Sequence, residues 1–274
     1  MKINSCGKIG ISTSFIIYGG SGKCQEEINK EIDNNSNDYT WIQLKRILQN
    51  IKGKGIATLL GKISEHQNDV LVKVQLKEEA LNEYKIQQRI KDIDGIVPYN
   101  CFVTCGGDKK YIEDYGPPLK PYQKLCTKKG SELGIIIMQF FHLGSFEIYL
   151  KEKSINRDPN VVKVIICKSI YILFKLYRAY GFTHGDFFSK NIILRSITDP
   201  LLIDFEKSSF NEEGKLSLFW RDIDCLLMEV SGYIFKNELS EISNKYVIMS
   251  RAYNKEPTPE LISEICKDLQ KIKI

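Results

Sequence analysis

One loop constrains this chain more than any other stretch. Between a helical segment that stops at Gly181 and the apolar run Leu201-Leu202-Ile203 lies His184-Gly185-Asp186-Phe187-Phe188-Ser189-Lys190-Asn191, and Asp204-Phe205-Glu206 follows directly on the run. Four residues separate Asp186 from Asn191, and twelve separate Asn191 from Asp204. The run has the length and composition of a buried strand. Loops favour aspartate and asparagine because these side chains bond their own backbone, so the three residues alone are also what an ordinary turn-rich region contains. Their chemistry has a second use. One carboxylate can accept or orient a hydroxyl proton, while an amide oxygen and a second carboxylate are hard ligands suited to magnesium.

The chain upstream carries further elements in a fixed order. Gly53-Lys54-Gly55-Ile56-Ala57-Thr58-Leu59-Leu60 contains two glycines that permit a tight hairpin with close backbone approach to an anion. Val70-Leu71-Val72-Lys73 is an apolar strand that ends on a cation. The segment from Leu76 to Ile93 reads as a helix with Glu83, Ile86 and Ile90 on one face, and Glu79 lies on that same face one turn earlier. Either glutamate is placed to meet Lys73. Gly134 to Phe141 is a further apolar strand, and Val161 to Tyr180 a long helix closed by Gly181 as C-cap. Trp220 to Leu227 begins another, with Ile223, Leu226, Leu227 and Val230 at i, i+3, i+4 and i+7.

These elements, over about residues 51 to 232, resemble the protein kinase-like superfamily. The resemblance implies an α+β, bilobal fold with a small β-rich N-lobe and a mainly helical C-lobe. Residues 1–50 would be an N-terminal extension, 51–143 the N-lobe with an insertion at about 104–131, and 144–274 the C-lobe. It also implies ATP and Mg2+ as cofactors. Gly53 and Gly55 would cover the phosphates, Lys73 would contact the α and β phosphates, and Glu83 would pair with Lys73. Met138 would be the gatekeeper, with backbone groups of Gln139 and Phe141 at the adenine. Asp186 would orient the acceptor hydroxyl, Lys190 would help neutralise the moving phosphoryl group, and Asn191 and Asp204 would hold the metal. Asp222 matches the aspartate that braces the catalytic loop from below.

Several positions depart from the usual pattern. Thr58 stands at the third glycine of the loop, and Phe188 stands where serine/threonine kinases place a lysine. Tyrosine kinases have a cation at the offset of Lys190, so the electrostatic requirement can be met from there. The HGD form lacks the arginine that pairs with a phosphorylated activation loop. Glu206 replaces the glycine of DFG, and only seventeen residues separate Asp204 from Asp222, with no APE-like element. The expected activity is a divergent protein kinase acting on serine or threonine hydroxyls, of compact Rio type. A choline- or aminoglycoside-like kinase and a catalytically silent scaffold are the alternatives.

Composition fits one intracellular, two-lobed domain of 274 residues, with 43% hydrophobic and 27% charged residues. A net charge of +5 without a dense basic stripe argues against nucleic acid as the main ligand. The expected partners are ATP and a protein substrate, with no membrane, since lysine and arginine interrupt the longest apolar helix. The weight of isoleucine, lysine and asparagine suggests an AT-rich genome, and a viral source would add the host cytoplasm or the virion as locations. Eight cysteines without paired CxxC spacing read as free thiols in a reducing cytosol. The stretch around Phe15 to Tyr18 is too brief for a secretory signal. A Walker A alignment of Gly19 to Cys24 puts Ile17 at its first glycine and Cys24 at its serine or threonine, so the stretch reads as a polar loop. Tyr39 to Ile51 reads as a short helix.

Overall fold

The computed structural model describes residues 15–18, 42–51, 56–63, 69–105, 133–152, 158–210 and 216–273. The chain is α+β and divides into two compact units, one of residues 1–88 and 98–140, the other of 89–97 and 141–274. Gly53, Gly55 and the centre of the expected insertion, 106–132, lie outside the described residues.

The first unit is built on a six-stranded sheet of β1 (Phe15–Tyr18), β2 (Ile42–Ile51), β3 (Ile56–Ile63), β4 (Asp69–Leu76), β5 (Tyr99–Cys105) and β6 (Leu133–Gln139). Its order is β1-β5-β6-β4-β3-β2, and every neighbouring pair is antiparallel. In β4, Val70, Val72 and Val74 are buried on one face, and Lys73 and Gln75 are buried on the other. Helix α1 (Lys77–Ile90) follows β4 directly and covers the second face. Its inward stripe is Ala80, Glu83, Tyr84, Gln87 and Ile90. Glu78 and Glu79 in its first turn and Arg89 in its last complement the helix dipole. The helix lies close on the sheet because Gly134 faces it: a Cβ there would collide with the Ala80 methyl.

The short helix expected over Tyr39 to Ile51 is instead the strand β2. Its register against β3 shifts twice, between Leu44 and Arg46 and between Ile47 and Gln49. Those bulges break the two-residue alternation and leave Leu44, Ile47, Leu48 and Ile51 at i, i+3, i+4 and i+7, which imitates a helix. The residues expected as an N-terminal extension thus supply two strands of the sheet, β1 pairing with β5 at one edge.

The second unit is mainly helical. It contains α2 (Phe146–Lys151), α3 (Pro159–Tyr180), α4 (Leu216–Ser231), α5 (Lys236–Ile242), α6 (Met249–Ala252) and α7 (Pro259–Lys271). The short strands β7 (Phe182–Thr183), β8 (Ile192–Ser196), β9 (Asp199–Leu202) and β10 (Ser209–Phe210) pair as β8 with β9 and β10 with β7. Asp158 caps α3 by accepting the Asn160 N–H at 2.8 Å. Gly181 ends it at φ 62, a left-handed conformation suited to glycine. Among the described residues no helix is long and apolar enough to cross a membrane.

α3 and α7 are joined covalently. Cys167 and Cys266, 99 residues apart in sequence and 5.4 Å apart at Cα, form a disulfide, which corrects the expectation of free thiols for these two, while Cys225 is free as expected. Sequence spacing could not reveal the pair, because it depends on how two distant helices pack.

Candidate functional site

Two clusters carry the expected site residues, one in each unit. In the first, Glu83 is fully buried and takes three donors. Its Oε2 accepts from Lys73 Nζ at 2.6 Å and from Gln75 Nε2 at 3.0 Å, and its Oε1 accepts from the Tyr99 hydroxyl at 2.5 Å. The choice left open between Glu83 and Glu79 falls to Glu83, since it shares the buried face with Lys73 and Gln75. A buried ion pair needs such extra bonds to offset the desolvation of both charges. Gln75 and Tyr99 were not singled out from sequence. Met138 is buried near the end of β6, opposite Leu71, and Gln139 is half-buried opposite Val70. Phe141 belongs to the second unit, where its carbonyl accepts the Gly144 N–H at 3.1 Å.

The second cluster is the loop after α3. A 3₁₀ turn at Ser189–Asn191 brings Lys190 and Asn191 back onto Asp186. The Asn191 Nδ2 donates to the Asp186 carbonyl at 2.8 Å and to its Oδ2 at 3.0 Å. The donor end of the amide is thus turned to Asp186, which leaves the oxygen end as the one a cation could use. Lys190 Nζ lies 2.9 Å from Asp186 Oδ2. Lys207, which sequence reasoning missed, places its Nζ 2.9 Å from Oδ1. Burial pushes the Asp186 carboxyl up, but the ammonium groups of Lys207 and Lys190 outweigh it and hold the group down at about 2.

The backbone around this carboxylate is braced from several sides. Asp222 accepts the N–H of His184 at 2.7 Å and of Gly185 at 3.0 Å, the role expected for it. Glu229, another residue not foreseen, accepts the Ser189 N–H at 2.6 Å. His184 is fully buried and its Nε2 donates to the Ile203 carbonyl at 3.0 Å, since a carbonyl can only accept. Burial pushes this imidazole below its ordinary value, so it is neutral at pH 7.

That bond fixes Asp204 through its neighbours. Ile203 is held by His184 and by its own N–H to the Asn191 carbonyl at 3.1 Å. Phe205 is buried, its ring 5.6 Å from His184 and 6.1 Å from Phe182. Between these anchors Asp204 adopts φ 65, a left-handed conformation costly for a residue with a side chain and often retained at working sites.

Asp186, Lys190 and Asn191 therefore come together with one unforeseen cation. Among the described residues no three His, Cys, Asp or Glu side chains gather as a metal cage. Magnesium commonly takes one or two protein oxygens and completes its shell with phosphates and water, so the Asn191 amide oxygen and the Asp204 carboxylate are the groups that could hold it. Comparison with models of known protein families gives no match, and comparison with curated proteins gives none either.

Proposed function

We propose that this chain is a divergent member of the protein kinase-like superfamily, with its bilobal fold, and transfers the γ-phosphoryl group of ATP to serine or threonine hydroxyls. The observation that carries the reading is the Asp186 carboxylate, tied by its own loop to Asn191 and flanked by lysine ammonium groups. The buried Lys73–Glu83 pair supports it, as does the succession of paired strands, lysine strand, glutamate helix, long helix, loop and Asp204.

In this reading the acceptor hydroxyl donates a hydrogen bond to Asp186. Its oxygen attacks the γ-phosphorus as the bond to the β-phosphate oxygen breaks, the hydroxyl proton passes to the Asp186 carboxylate late in the step, and ADP leaves. A carboxyl held at about 2 is a weak base. It therefore orients the hydroxyl rather than removing the proton early, which suits a loose phosphoryl-transfer transition state. Lys190 offsets charge on the transferring group, and Lys73, fixed by Glu83, holds the α and β phosphates. Asn191 and Asp204 would hold magnesium, which would supply positive charge to offset that of the phosphates.

The test is transfer of radiolabelled γ-phosphate with magnesium to casein, with choline and ethanolamine in parallel. Label on casein that disappears in Asp186→Ala and Asp204→Ala, with both variants folded, is the expected result. Retained transfer in Asp204→Ala would overturn the reading. Glu206 and the short Asp204–Asp222 interval favour a second reading, a small-alcohol kinase, and label on an amino alcohol alone would select it.

A further inference from the structure

Lys207 has no counterpart among the residues expected from the sequence, yet the segment that carries it is tied to the residues before Asp186 by hydrogen bonds and strand pairing. Ser208 Oγ donates to the His184 carbonyl at 2.9 Å, and Ser209 Oγ lies 3.0 Å from Thr183 Oγ1. Residues Ser209 and Phe210 pair with Thr183 and Phe182 as β10 and β7. The Ser208 N–H closes a turn onto the Phe205 carbonyl at 3.1 Å. The segment that carries Lys207 is thus zipped along the segment that leads into Asp186.

Gly185 makes this approach possible. Its φ is 76, and a Cβ on it would collide with the carbonyl oxygen of Lys207. An arginine or any other side chain at 185 would push the 207 backbone away and withdraw the ammonium from Asp186. Phe188, meanwhile, leaves the position two residues after the aspartate without a cation. The two departures from the usual loop are therefore linked: glycine at 185 admits a cation from residue 207.

We infer that Lys207 is a positioning residue for Asp186, fixing Oδ1 so that the carboxylate presents a set orientation to the acceptor hydroxyl. The inference rests on the phosphotransferase reading. It adds a residue to that site, and it explains why both carboxylate oxygens have a lysine, Lys190 on Oδ2 and Lys207 on Oδ1. The Lys207 side chain is 60% exposed, so its removal takes away little packing and the fold should survive.

The experiment measures steady-state release of ADP from ATP with magnesium, with water and with casein as acceptors. It compares wild type, Asp186→Ala, Lys207→Met and Lys207→Arg, each checked for an unchanged thermal midpoint. Lys207→Met is expected to lower kcat by about 10²-fold, the scale of a small misplacement of a reacting group, while KM for ATP stays within about twofold. Lys207→Arg should recover part of kcat, because it restores a cation. If Asp186→Ala abolishes turnover but Lys207→Met keeps wild-type kcat, the inference fails and the phosphotransferase reading stands. A rise in kcat in Lys207→Met would mean that the lysine masks the carboxylate, and would also overturn it. Wild type without any turnover would sink both together.

Discussion

The Asp222 carboxylate lies 2.7 Å from the backbone nitrogen of His184 and reaches the next nitrogen with its other oxygen. A buried side chain on α4 thereby fixes the direction in which the loop leaves β7.

That brace titrates. Burial pushes the Asp222 carboxyl from its ordinary 3.8 up to about 7, against the two N–H donors that pull it down. The folded chain therefore keeps a proton there that the unfolded chain has already lost. Stability from this group is complete below about 4 and is lost as pH rises through about 7. His184 acts in the opposite sense. Its imidazole is pushed down by burial, so its contribution is present above its ordinary 6.5 and is lost as pH falls through the lowered value. The difference between wild type and Asp222→Asn isolates the first group. In thermal unfolding the stability of wild type relative to the variant should fall steadily with rising pH across about pH 4 to 7 and level off above that, and a constant difference would refute the assignment.

Gly185→Ala tests the close approach of Lys207 directly. The methyl group meets a backbone carbonyl at a positive φ, so neither rotamer change nor side-chain movement relieves it. A loss of about 1–3 kcal/mol is expected in chemical denaturation, together with loss of turnover. Unchanged stability would mean that the backbone gives way there without penalty.

Glu83→Ala leaves Lys73 buried without its carboxylate, and the expected loss is about 3–5 kcal/mol. The double variant Lys73→Met, Glu83→Leu should recover most of that stability while remaining inactive. Urea denaturation of all three chains checks this, and equal instability of the single and double variants would count against the pair.

The Cys167–Cys266 bond closes a separation of 99 residues. Reduction, or Cys167→Ser, should remove about 2–5 kcal/mol of stability, less where strain offsets the chain-entropy gain. Mass measurement after alkylation under non-reducing conditions checks it, and full labelling of both thiols would show the bond to be absent.

Much of this arrangement was legible because it is local. Asp186, Lys190 and Asn191 meet through one turn of backbone, and Lys73 meets Glu83 because a strand runs straight into a helix. Parity along the strand and the helix stripe then aim both side chains at one place. Lys207, Tyr99 and Glu229 were not legible, because each arrives from a segment remote in sequence. The glycine at 185 was the available signal, since a residue chosen for its lack of a side chain implies that something else comes close. β2 misled for the opposite reason: two bulges gave a strand the apolar spacing of a helix.

Glu83 gathers a lysine and a glutamine from β4 and a phenol from the start of β5 onto one carboxylate. Helix α1 cannot slide or rotate by a fraction of a turn without disturbing all three bonds at once. Its docking on the sheet should therefore be a latch with two settings rather than a graded hinge, and a perturbation felt by Tyr99 would reach Lys73 without passing through the backbone.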